Sequence, residues 1–112
     1  MALDKEDVVD AVGIERETGL VVLTIADSRD WDDEAKHLLA LQAKLNAYFR
    51  FIETGQIWES YPNAAGKKLA IEVVSRFPIP QIGSDLLERA SKACADLGVT
   101  VRSRHYSGSS HE

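Results

Sequence analysis

Cysteine is nearly missing from this chain of 112 residues: Cys94 stands alone, so no disulfide can form within it. Its apolar neighbours between Leu86 and Leu97 mark it as a small buried hydrophobe and favour a reducing compartment. No stretch approaches the roughly 20 apolar residues that a membrane span needs. The first ten residues carry Asp4, Glu6, Asp7 and Asp10 and lack the basic flank and apolar run of a signal peptide. The reading is therefore a cytoplasmic protein with no membrane partner. Positive charge is also short, with 13 Lys and Arg against 18 Asp and Glu for a net charge of −5. That balance argues against nucleic acid as a partner, since phosphate binding draws on clustered cations that release counterions. Glycines occur singly at element ends and form no phosphate-cradling loop, and no EF-hand or Cys/His ligand spacing occurs. No metal, no cofactor and no catalytic residue is implied.

What is present is the mix of an ordinary globular domain, 45% hydrophobic and 28% charged. Two domains would each be too small for a core of their own. Residues 1–106 are read as one domain, and residues 107–112 as a polar, flexible tail.

Periodicity divides the chain into elements. Val8 to Ile14 reads as a strand, and Glu15 to Gly19 as a hairpin loop. Leu20 to Ala26 is apolar on both alternating sets, which places it inside a sheet. Asp30 and Asp33 have capping-box spacing before a long helix whose stripe is Leu38, Leu41, Leu45, Tyr48, Phe49 and Ile52. Gly55 stops that helix. Gln56 to Tyr61 is either a short edge strand or an ordered loop. Lys67 to Phe77 alternates as a strand, and Pro78 and Pro80 end it. Ser84 or Asp85 caps a second helix, which buries Leu86, Leu87, Ala90, Ala93, Cys94 and Leu97 and ends at Gly98. Val99 to Tyr106 is a last, half-buried strand.

The expected fold is α+β, a two-layer sandwich of order ββαβαβ. Its mixed four-stranded sheet, with an optional fifth short strand, carries two helices on one face because both crossovers are right-handed. The opposite face then holds Val22, Thr24, Ala70, Glu72, Val74, Arg76, Arg102 and Arg104. Phe51 projects from the other side of the long helix and needs cover from a loop or another chain.

The segments DWDDE, LQAKLNAYFRFIETGQIW, YPNAAGKK and IEVVSRFP resemble those of a family of short bacterial proteins catalogued as a domain of unknown function. The resemblance runs from Asp7 to Tyr106 and is most specific from Leu41 to Ile57. It implies a compact bacterial protein, and it supplies no activity and no site residue.

Three constellations compete for function. Asp27, Asp30, Asp32, Asp33 and Glu34 are better explained as helix-capping acids than as a cation site. Asp33 and His37, four residues apart, match an oriented imidazole and equally an ordinary surface pair. Glu72, Arg76, Arg102 and Arg104 form an arginine-rich group beside an apolar floor. The leading expectation is a non-enzymatic interaction module, a homodimer or the mate of another protein, working through Val22 and Val74 or through Phe51. The alternatives are a small enzyme in which the carboxylates of Asp27 to Asp33 converge with Arg102, and an anion or nucleic-acid binder using Arg76, Arg102 and Arg104.

Overall fold

The computed structural model describes residues 11–64 and 66–105. Val8, Tyr106 and the tail lie outside the described residues. The run VVLTIAD forms β2 (Val21–Asp27), and its alternation is strict: Val21, Leu23 and Ile25 are fully buried and Asp27 is 2% exposed. The intervening Val22 and Thr24 are half-buried, and Ala26 is exposed. β1 (Ala11–Ile14) pairs antiparallel with β2, and Glu15 to Leu20 close the hairpin with Gly19 in the left-handed region at φ 74°. β3 (Leu69–Ser75) lies parallel to β2, and β4 (Val99–His105) lies parallel to β3. Strand order in space therefore follows the chain, β1-β2-β3-β4, and β2 is an interior strand as its sequence predicts.

A parallel pair cannot be joined by a tight turn, and helices fill both crossovers. Between β2 and β3 run α1 (Glu34–Glu53) and the five-residue α2 (Gln56–Ser60); between β3 and β4 runs α3 (Gln81–Ala93). The chain is thus an α+β protein with a four-stranded mixed open sheet and three helices. Its core joins Leu41, Leu45, Tyr48 and Ile52 of α1 and Leu87 of α3 to the buried set of the sheet, Leu23, Ile25, Ile71, Val73, Val99 and Val101. Burying a side chain of this size contributes about 1.5–3 kcal/mol relative to leaving it exposed. The Tyr48 hydroxyl donates to the Thr24 carbonyl at 2.7 Å, which ties α1 to β2.

Four expectations are corrected. Asp33 is the N-cap of α1, accepting from the Lys36 amide at 3.1 Å, while Asp30 closes a turn by accepting from the Asp32 amide. The capping-box spacing puts the cap three residues too early, because the helix starts after Asp33. Gln56 to Tyr61 is neither strand nor loop. Gly55, at φ 80°, ends α1, and α2 begins at the next residue. Adjacent Ile57 and Trp58 both pack on the same core, which a strand with its alternating faces cannot achieve. α3 starts at Gln81 without a side-chain cap, earlier than Ser84, because the Pro80 carbonyl accepts from the Gly83 and Ser84 amides. Ala93 is exposed and Leu97 is 44% exposed: α3 ends at Ala93, and the Ala95–Leu97 turn winds as a 3₁₀ helix, which rotates the Leu97 side chain off the buried arc.

Candidate functional site

Two groups of polar side chains stand out, one on each face of the sheet. On the face that carries Val22 and Thr24, away from the buried set of the sheet and called the open face below, register places Glu72 beside Arg102 and Val74 beside Arg104. The Arg102 Nε donates to Glu72 at 2.9 Å, and the Arg104 Nε lies 3.5 Å from the other oxygen of the same carboxylate. A partner missed in the sequence completes the group. Glu15, at the start of the hairpin loop, accepts from the Arg102 Nη2 at 2.9 Å. It was findable, because alternation from Ala11 and Gly13 carries Glu15 onto the open face. The Thr18 hydroxyl, donating at 2.7 Å, and the Arg102 guanidinium hold the Glu15 carboxyl below the usual carboxylate range. Glu15 in turn, with Glu72, pushes the Arg102 guanidinium further up. Arg76, beyond the end of β3, is exposed and stands outside this network among the described residues.

The second group sits at the carboxyl ends of the parallel strands. Asp27, Ser75 and His105 are register neighbours there. Asp27 continues the buried set of β2, and its Oδ2 meets the Nε2 of His37 at 2.5 Å, with both side chains out of water. Its Oδ1 accepts from the Arg29 amide at 3.1 Å. The His37 Nδ1 lies 2.8 Å from the Asp30 carbonyl, which can only accept, so Nδ1 carries a proton. Trp31 stacks on the imidazole, with ring centroids 3.7 Å apart and planes 15° from parallel. The partner of His37 is thus Asp27 and not Asp33. Two signals marked this pair: Asp27 shares parity with the buried positions of its strand, and His37 lies one turn before Leu41 on the buried stripe.

A cleft of about 350 Å³ opens beside the pair, lined by Arg29, Asp30, Asp33, Lys36 and Phe77 with charges of both signs. Both nitrogens of His37 are engaged and one ring face is covered, so the imidazole binds the β2–α1 loop to the sheet. Asp27 and Arg102 do not converge, since they project from opposite faces of the sheet. Among the described residues, Ser75 Oγ and Trp31 Nε1 are buried without a hydrogen-bond partner, and no group of three or more His, Cys, Asp or Glu side chains forms a metal cage.

Trp31 and Trp58 are both partly buried and pack against the core. Phe51 is half-buried with Tyr61 against it edge-on, ring centroids 6.4 Å apart, so cover comes from its own chain. Cys94 is 3% exposed, and burial together with nearby Glu53 pushes its thiol up.

The site and fold define an α+β protein whose polar clusters are closed on themselves and whose described helices include none long and apolar enough to cross a membrane. The chain belongs to a family of unknown function, DUF6572, whose match spans residues 1–107. Comparison with curated proteins and with solved structures gave no match.

Proposed function

We propose that this protein is a non-enzymatic interaction module of the bacterial cytoplasm, one domain built as a two-layer ββαβαβ sandwich, that pairs with a second copy through its open sheet face. The observation that carries this reading is the state of that face. Val22 and Val74 remain half-exposed and Ala26 exposed, while two of the three arginines are already neutralised by Glu72 and Glu15. Paired guanidiniums have little left to offer a phosphate, whereas uncovered methyl groups still gain by leaving water. The same pairing weighs against anion or nucleic-acid binding, and the engaged nitrogens of His37 weigh against an acid–base enzyme.

The area sets the strength. Three strands of seven residues and one of four, about 4.8 Å apart, present roughly 400 Å² on one face, or about 800 Å² for two copies. That lies below the range of stable complexes, so the pairing is weak and reversible. Sedimentation equilibrium from micromolar to near-millimolar protein is expected to show a monomer–dimer equilibrium that Val74→Asp abolishes. A strict monomer throughout, or dimerisation indifferent to Val74→Asp in a folded variant, overturns the reading.

A further inference from the structure

We infer that the β1–β2 hairpin is a strap over the open face, held shut by the Glu15–Arg102 bond, and that its release governs how well a second copy docks there. The inference rests on the pairing reading above and adds its regulation. Register fixes the geometry. The row Gly13, Val22, Ala70, Thr100 crosses the sheet between the level of Glu15 and that of Arg102, so a bond from the hairpin to β4 passes above Val22 and Ala70. Ala70 is fully buried although its parity places it on the face away from the helices, while Glu72 and Val74 along the same strand are only half-buried. A bond passing over Ala70 fits that burial, while Val22 beneath the same bond stays half-buried.

The fastening is asymmetric. Glu72 is a register neighbour of Arg102 on the adjacent strand and cannot leave it, and its side chain is 15% exposed. Glu15 belongs to a loop in which the bonds Glu15 to Leu20, Gly19 to Glu15, Thr18 to Glu15 and Leu20 to Thr18 stay inside the hairpin. Its side chain is 37% exposed, and an ion pair so placed is a weak tie that salt loosens. Letting it go uncovers Val22 and Ala70 and frees one edge of the Arg102 fork for a carboxylate of the incoming copy. Docking to a state that is populated only in part weakens apparent affinity by that fraction.

The test uses the full chain and its Glu15→Gln variant, in which the carboxylate is lost from an exposed position. On dilute monomer, methyl relaxation by a soluble gadolinium chelate reports access to Val22 and Ala70 without any need for dimerisation. Sedimentation equilibrium reports pairing. The expected result is greater relaxation at both methyl sites in the variant, with a dimer about two- to fivefold tighter, the change that loss of one exposed ion pair allows. Added salt should narrow the gap between the two proteins. Unchanged relaxation means that Glu15 holds nothing shut and overturns the strap, leaving the pairing reading to stand on its own dimer. Greater relaxation with a weaker dimer makes Glu15 part of the interface and also overturns it. Greater relaxation with no dimer in either protein overturns the pairing reading, and with it any regulatory role for the strap.

Discussion

Replacing His37 with leucine strands the Asp27 carboxylate in the interior. Asp27 is 2% exposed, and its oxygens meet the imidazole and the Arg29 amide. Removing one member of a buried pair costs about 3–5 kcal/mol, because the survivor keeps its desolvation and loses its compensation. At the middle of that range, a domain of this size melts roughly 15 °C lower. Asp27→Leu should cost a similar amount, since it leaves the Nε2 of His37 and the Arg29 amide without an acceptor. The double variant closes an apolar contact where the pair stood. It should cost only about 2–3 kcal/mol, chiefly from the Arg29 amide and the Asp30 carbonyl that remain unsatisfied. At the middle of those ranges the coupling between the two positions is about 5.5 kcal/mol, far above the few tenths expected of independent sites. Urea denaturation of the four proteins at neutral pH measures it. Additive losses would falsify the claim that the two side chains stabilise the fold only as a unit.

Further predictions concern other parts of the molecule. Gly83→Ala gains helix propensity, yet the new Cβ would stand 2.6 Å from Ile79 Cγ2 and 3.0 Å from Trp31 Cη2. The variant should lose about 1–2 kcal/mol and show altered near-ultraviolet circular dichroism from Trp31, whereas a more stable protein with an unchanged spectrum refutes the wedge. Glu15 titrates below the ordinary carboxylate range when folded, so its stabilising contribution is complete above the unfolded value of about 4.3 and disappears as pH falls through the lower folded value. The melting difference between wild type and Glu15→Gln should accordingly be constant near neutrality and vanish in acid; a difference that grows in acid contradicts the sign. Cys94 should react with a disulfide reagent only as the chain unfolds, because it is buried and its thiol is pushed up. Stoichiometric labelling of the native protein within minutes would show that α3 does not cover it.

Much of the fold was legible because its periodicities are clean. LVVLTIA could only be an interior strand, and the stripe from Leu41 to Ile52 could only be a helix with one buried side. Legibility failed where a short-range rule met a tertiary contact. The α3 start was hidden because its first turn is organised by the Pro80 carbonyl and the Trp31 ring at Gly83, with no capping side chain to read. The segment after Gly55 reads as alternating only if Trp58 is ignored, and burial of two adjacent residues appears only once the core position is known. For the candidate site, the cross-strand meeting of Glu72 with Arg102 and Arg104 was readable, since it needs only parity and strand adjacency. Parity places Glu15 and Asp27 on their faces of the sheet, but pairing them with Arg102 and His37, over separations of 87 and 10 residues, requires knowing how far the hairpin loop leans and how the chain turns from β2 into α1.

The most direct measurement of self-association through the open face is an isotope-filtered NOE experiment on a mixture of methyl-labelled and unlabelled chains at high concentration. Cross-peaks between protomers should reach the methyl groups of Val22, Ala26 and Val74. Intermolecular peaks confined to Leu39, Ile82 or other residues on the helical side would contradict the account, as would none at all in a sample that remains monomeric.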